Sequence, residues 1–323
     1  MTRGRSQHHQ RVDCVVIGGG PAGLTAALYL ARFRLSVQVI ERGAGRAASI
    51  PLTRNYPGFP DGITGRDLVR RIGEQAVRFG ADIVADEVMT VERSGDGFLC
   101  HTKNGLIEAS AVILATGLRD VRPPIDDTLH DAALAAGLIR YCPICDGLEV
   151  TGRRVAAIGR GAHGAREATF IRSYTDDVTF LSWDGATDLS SEQRADLWQL
   201  GITVIDGAVA SARMLDGKLL LATDCGEQAF DAVYPALGVK VASGIAQGLG
   251  ARINGDGYLY VDEHQRTVVP GLYAVGDVVV GLNQISRGTA QAATAATALR
   301  NDLFDGSLFD GLEARRSHAK RTV

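Results

Sequence analysis

The pattern along the chain begins with Val12-Asp13-Cys14-Val15-Val16-Ile17, a short run rich in β-branched residues that predicts a buried strand. Gly18-Gly19-Gly20-Pro21-Ala22-Gly23 follows, and residues 24–33, rich in Ala and Leu, predict a helix. A second strand over residues 37–40 ends at Glu41 and completes a βαβ unit. Residues 111–115 form a third apolar strand that runs into Thr116-Gly117. The order then repeats. A strand over residues 154–158 leads into Gly159-Arg160-Gly161-Ala162-His163-Gly164, a helix over 165–174 and a strand over 178–181. Near the C-terminus a further strand ends in Gly276-Asp277, and an Ala/Thr-rich helix spans about 288–299. Two βαβ units, each carrying a glycine fingerprint and well separated, predict two nucleotide-binding-type domains rather than a solenoid.

Composition narrows the function. At 323 residues the chain is long enough for two cores. A net charge of −3 provides no basic field for nucleic acid, and 6% aromatics provide no stacking surface for single strands. No apolar run approaches the roughly 20 residues that span a bilayer, so no membrane partner is expected. The polar, basic start has no apolar stretch behind it resembling a signal-peptide core, and a cytoplasmic protein is expected. Residues 1–10 and 304–323 are expected to be loose, with 1–10 and 313–323 polar and basic.

Of five cysteines, Cys14 lies in the first strand and reads as a small buried hydrophobe, while Cys100 and Cys225 adjoin polar stretches and are assigned no chemistry. An odd number at irregular spacing is no secreted disulfide framework. Cys142 and Cys145 remain. Two cysteines three apart at a turn or helix start can close a small disulfide ring, and backbone N–H groups there lower a thiol pKa. Zinc would need two further ligands, for which the seven histidines show no spacing, so no metal is expected.

The first fingerprint follows a strand and opens a helix. Its glycines (Gly18, Gly20, Gly23), with Pro21 and Ala22, let the backbone close on a pyrophosphate at the helix N-terminus. Glu41, eighteen residues after Gly23, can accept the ribose hydroxyls of an adenosine. The segments ending in Ala115-Thr116-Gly117 and in Gly276-Asp277 resemble two further FAD-contact motifs of flavoproteins with two dinucleotide-binding domains. That resemblance implies FAD, with Asp277 at the ribityl and pyrophosphate region. It also implies that the following helix aims its positive end at the flavin pyrimidine edge.

The stretch Tyr141-Cys142-Pro143-Ile144-Cys145-Asp146-Gly147, just before the second fingerprint, resembles the low-molecular-weight thioredoxin reductases. Asn55-Tyr56-Pro57-Gly58-Phe59 is similar to that family's segment near the flavin, and Asn283-Gln284-Ile285 to its stretch before the last helix. The resemblance implies an α/β fold of two Rossmann-like dinucleotide-binding domains (three-layer ββα), the second inserted in the first. An FAD domain would take residues 11–118 plus 243–303, and an inserted NAD(P)H-type domain carrying the cysteines residues 119–242. It further implies homodimers and catalytic roles for Cys142, Cys145 and Asp146. The pair would exchange two electrons with FAD, with Asp146 moving the proton of the departing thiolate. Asn55, Gln284 and Ile285 join the FAD contacts on the same ground. A thioredoxin-like protein or a small dithiol or disulfide is the implied substrate.

The second fingerprint departs from the family. Arg160 crowds its second position, and no Lys or Arg lies between Phe180 and Gln193, where the 2′-phosphate of NADPH needs a cation. NADPH is therefore disfavoured. Asp184 could take the ribose diol of NADH, or the domain could be a scaffold that binds no nucleotide, with ferredoxin or another flavin as electron donor. Asn283 also stands where reductases usually carry arginine, and His163, an alternative base if it sits near the cysteines, reads more readily as a cap or surface residue. Two alternatives stay open: a dithiol oxidase that forms a disulfide in a small molecule or peptide with oxygen as acceptor, and a non-catalytic redox-sensing flavoprotein. The basic tail (Arg315, Arg316, His318, Lys320, Arg321) reads as solvated.

Overall fold

The computed structural model describes residues 11–43 and 45–304; the predicted loose ends and the basic tail lie outside the described residues apart from Phe304, which closes the last helix. The chain packs as two compact units. One falls within Met1–Ala48, Arg66–Leu118 and Val241–Val323, the other within Ser49–Gly65 and Arg119–Lys240. The chain passes between them four times, two of the passages lying in the paired strands Leu118–Asp120 and Val239–Val241.

The first unit is built on a seven-stranded sheet. Asp82–Ala85, Val37–Glu41, Arg11–Ile17, Leu106–Leu114 and Leu272–Ala274 run parallel, in register Val15↔Gln38, Val15↔Val112 and Leu272↔Val112. Gly97–Thr102 and Val88–Ser94 extend it antiparallel. Residues 14–17, residues 111–114 and strand Leu272–Ala274 are buried at every position and carry no charged side chain, because both faces are covered there. Cys14, Val16, Ala111 and Ile113 enter one core, while Val15, Ile17, Val112 and Leu114 enter the other. Helix Pro21–Arg32 starts on a proline, whose fixed φ suits a first helical position. It shares a core with Ile285–Phe304, and the small residues Ala26, Ala27, Ala292, Ala295 and Ala296 bring the two helices close.

The second unit holds a four-stranded parallel sheet in the order Thr203–Ile205, Val178–Leu181, Val155–Gly159, Ala232–Ala236. Alternation again splits two cores, with Val155, Ala157 and Tyr234 on one side and Ala156, Ile158 and Val233 on the other. An antiparallel sheet of Val209–Leu215, Lys218–Thr223 and Gly226–Phe230 adds to the second core. That sheet, the strands Asp82–Ala85, Val88–Ser94, Gly97–Thr102, Thr203–Ile205 and Ala232–Ala236, and the outer half of Leu106–Leu114 were not expected from the sequence. Among the described residues no helix is long and apolar enough to cross a membrane.

Candidate active site

In the first unit the predicted cofactor residues converge at the carboxyl ends of the parallel strands. Gly18 has φ +110° and donates its N–H to Ile40 at 2.9 Å. A Cβ on Gly18 would lie 2.4 Å from the Ala115 carbonyl oxygen, and one on Gly23 would lie 1.9 Å from the Gly18 oxygen. Both positions therefore admit only glycine, because backbone occupies the space. Gly20 differs. A Cβ there meets no described atom within 4 Å, so the turn opens onto free space at the N-terminus of Pro21–Arg32. Such an opening is what a pyrophosphate requires.

The remaining groups close round this turn. Glu41 accepts from the Gly19 amide and, through its other oxygen, from Gly43 at 2.7 Å. Thr116 donates to the Ala242 carbonyl at 2.7 Å, and Gly117 takes φ +64°. Gly276, at φ +78°, comes close enough to Ala22 that a Cβ would sit 3.0 Å from the alanine methyl. Its amide donates to the buried Gln291 side chain at 2.9 Å. Arg46 reaches Asp277 at 3.2 Å. Gln284 and Ile285 stand at the start of the last helix, where the Gly288 amide donates to the Gln284 carbonyl. Beside them Asn283 donates to Tyr258 Oη at 3.1 Å, while its buried Oδ1 has no partner among the described residues. An open cradle and an orphaned polar atom fit a polar ligand such as FAD. Asn55 is placed with the second unit, where Thr53 donates to its Oδ1 at 2.8 Å.

The redox turn belongs to the second unit. Cys142 and Cys145 form a disulfide. Cys142 caps the short helix Pro143–Asp146, and its carbonyl accepts the amides of Cys145 at 2.8 Å and Asp146 at 3.2 Å. Both cysteines are half-buried, whereas Ile144 and Leu148 beside them are 48% and 75% exposed. The Asp146 side chain makes no helix-capping bond. Its Oδ2 accepts from Arg140 at 2.9 Å and its Oδ1 from Tyr234 at 2.8 Å. Burial raises its pKa above the ordinary carboxylate value, against the opposing pull of Arg140 and Tyr234. Tyr174 packs its ring on Gly147, where a Cβ would meet it at 2.5 Å. The three other cysteines stay apart from this turn: Cys14 and Cys100 are buried and Cys225 is exposed. Burial drives the Cys100 thiol up to about 12. The polar stretch beside Cys100 is thus no guide to its place, which is the core side of strand Gly97–Thr102.

The second fingerprint keeps the packing of the first but not its opening. Gly159 and Gly164 approach each other so closely that a Cβ on either would lie within about 3 Å of the other's backbone. At Gly161 the amide donates to the Thr187 carbonyl at 2.8 Å, and the Asp188 carbonyl oxygen lies 3.5 Å from where a Cβ would be. Arg160 pairs with both Asp184 and Asp188. Asp184 also accepts from Ser182 at 2.7 Å. The nearest cation after Gln193, Arg194, is held by Asp206 and Thr187. His163 is exposed in the first turn of Gly161–Arg172, and among the described residues no hydrogen bond or ion pair joins it to the redox turn. Among the described residues no cluster of three metal-binding side chains occurs.

Residues 12–298 match the family described as pyridine nucleotide-disulphide oxidoreductase. The chain belongs to that family. It is a flavin-dependent disulfide oxidoreductase of thioredoxin-reductase type, with the mixed α/β fold and two Rossmann-like domains of that group. It is 31% identical to the thioredoxin reductase of Treponema pallidum over 88% of this chain and 95% of that one. Among solved structures, the thioredoxin reductase of Streptococcus pyogenes superposes with a TM-score of 0.84 at 28% identity, covering 92% of this chain and 99% of that one. The structure of HlmI gives 0.85 at 29% identity, over 98% and 99% of the two chains.

For this flavoprotein, the sequence motifs did not single out Arg46, Gln291, Arg140 or Tyr234. Arg140 carries a faint signal, being a cation two residues before a redox cysteine. Tyr234 carries none, since only the pairing of its strand with Val155–Gly159 brings it to Asp146.

Proposed function

We propose that the oxidoreductase passes an electron pair between the Cys142–Cys145 pair and FAD, and that NADPH does not serve its flavin. The single observation that carries the second half is at the second fingerprint, where the Gly161 amide already donates to the Thr187 carbonyl and the Asp188 carbonyl oxygen lies 3.5 Å from the Cβ position, whereas nothing described lies within 4 Å at Gly20. Three carboxylates (Asp184, Asp188 and Asp206) stand there with both nearby guanidiniums already paired. A 2′-phosphate would meet repulsion and no available cation.

Gly18, Gly20, Pro21, Ala22 and Gly23 would hold the FAD pyrophosphate, with Glu41 at the adenosine ribose. Ala115, Thr116, Gly117, Gly276 and Asp277 would line the rest, with Gln284 and Ile285 at the helix start. Asn55 stays in this set on the family resemblance alone. When bound, FAD supplies the two-electron acceptor or donor. The protein's own part is thiol exchange. A substrate thiolate attacks the Cys142–Cys145 bond, a mixed disulfide forms, and one cysteine sulfur leaves as thiolate. Asp146, next to Cys145 and raised in pKa by burial, is the proton carrier for that sulfur. A thioredoxin-like protein or a small dithiol is the substrate, and a homodimer in the cytoplasm belongs to the same reading.

A second reading, a dithiol oxidase with oxygen as acceptor, is favoured by the exposed apolar pair Ile144 and Leu148 beside the disulfide, which suits a small apolar dithiol. Ferredoxin or another flavin is the electron source if the enzyme runs as a reductase. Anaerobic titration of the flavin absorbance with NADPH and with NADH tests the proposal. Neither is expected to bleach the flavin, and rapid bleaching by NADPH would overturn the reading of the second fingerprint.

A further inference from the structure

The two residues before Cys142 each carry a polar link. Tyr141 Oη lies 2.8 Å from Nε2 of the buried His130, whose Nδ1 lies 2.9 Å from Asp131. Arg140 turns the other way, fixed by its Nε to the Gly137 carbonyl at 2.9 Å and by Nη1 to Asp146. Tyr234 comes from strand Ala232–Ala236, nearly inaccessible to solvent, and meets the other carboxylate oxygen. Its hydroxyl also lies 3.3 Å from the Asp146 carbonyl. Each oxygen of the Asp146 carboxylate therefore has its own donor, one cationic and one neutral. The other charge that acts on Asp146 is Glu149, itself paired with Arg54 at 3.4 Å.

Asp146 follows Cys145 directly in the short helix Pro143–Asp146, so whatever fixes its carboxylate fixes a titratable group at the redox turn. We propose that Arg140 and Tyr234 are positioning residues of the exchange reaction, which hold the Asp146 carboxylate beside the redox pair and set the pH at which it gives and takes its proton. This rests on the reading of Asp146 as proton carrier. A dithiol substrate enters with one sulfur as thiolate and one as thiol. The thiolate attacks, the Cys142–Cys145 bond breaks, and the released cysteine sulfur takes the proton of Asp146. The carboxylate so formed is the species that Arg140 and Tyr234 stabilise. It then removes the proton of the second substrate thiol, whose sulfur attacks the mixed disulfide and releases the other cysteine as thiolate. The substrate is oxidised by two electrons, the cysteine pair is reduced by two, and one proton has crossed through Asp146.

Donors to the charged form lower a carboxyl pKa, so removing either one moves it up. The test is the pH profile of the limiting rate at which saturating dithiol bleaches the flavin of FAD-loaded protein in a single anaerobic turnover, because that rate, like kcat, reports groups in the substrate complex rather than the free dithiol. An inflection that Asp146→Asn abolishes is expected. Tyr234→Phe should move that inflection up by about one pH unit, which is about tenfold in the proton equilibrium. Arg140→Lys, which keeps the charge but not the fixed fork, should move it by less. In the Asp146→Asn background Tyr234→Phe should leave the profile unchanged. If Tyr234→Phe fails to fold by thermal melting, Arg140→Lys carries the same comparison. An inflection at the wild-type pH in both Tyr234→Phe and Arg140→Lys overturns the positioning role. An inflection that survives Asp146→Asn overturns the acid–base reading beneath it.

Discussion

Gly20→Ala separates ligand binding from folding at the first fingerprint. Gly20 sits at φ −73° and ψ 178°, an extended conformation that alanine adopts without strain. Its added methyl meets no described atom within 4 Å. Replacing glycine at a compatible site stabilises by about 0.4–1 kcal/mol through the unfolded chain, and alanine is a poorer helix cap by a similar amount, so the apoprotein should melt nearly as wild type. The methyl stands in the opening proposed for the pyrophosphate. Losing one charge-assisted hydrogen bond there costs about 1.5–3 kcal/mol, or roughly 10- to 150-fold in FAD affinity. Gly23→Ala is the contrast, since its methyl would lie 1.9 Å from a backbone oxygen. That variant should lose at least about 1–3 kcal/mol of stability with or without FAD. The assay is FAD titration of deflavinated protein by fluorescence, paired with thermal melts of the apo forms. Wild-type FAD affinity in Gly20→Ala would refute the placement of the cradle.

Thiol counting follows from the burial of the cysteines. In the oxidised native protein a thiol reagent at pH 8 should modify one cysteine, Cys225, and after dithiothreitol three, with Cys142 and Cys145 added. Cys14 and Cys100 should react only on denaturation, since burial raises both thiols, Cys100 to about 12, and keeps them protonated at that pH. Mass spectrometry of the alkylated protein reads the count, and native labelling of Cys100 would contradict the burial argument.

Much of the fold is visible in the sequence because the parallel strands are buried on both faces. Residues 178–181 stand out as Val-Thr-Phe-Leu between polar stretches, and the structure places the strand Val178–Leu181 there. The helices begin earlier than their apolar pattern suggests: Ile285–Phe304 was expected from about residue 288, since its first turn, with Ser286 and Arg287, is polar. The antiparallel sheet of Val209–Leu215, Lys218–Thr223 and Gly226–Phe230 escaped notice because its outer strand is mostly exposed and lacks an apolar run. Local motifs mark Cys142, Cys145, Asp146 and the first fingerprint, where chemistry demands fixed spacing. Arg140 and Tyr234 lie 94 residues apart and meet at one carboxylate only through strand pairing, which no local pattern encodes. The second fingerprint is half legible. Arg160 and the missing cations are visible in sequence, but the Thr187–Asp188 backbone that meets Gly161 is not.

Anaerobic reduction of the flavin by dithiothreitol, in wild type and in Cys142→Ser and Cys145→Ser, tests the coupling of the cysteine pair to FAD most directly. The account predicts that the wild-type flavin bleaches by two electrons per FAD and that either serine variant, still yellow and folded, loses that bleaching by at least about a hundredfold in rate, the loss expected when one member of a unit is removed. Bleaching at the wild-type rate in both variants would contradict it, because the electrons would then reach the flavin without the pair.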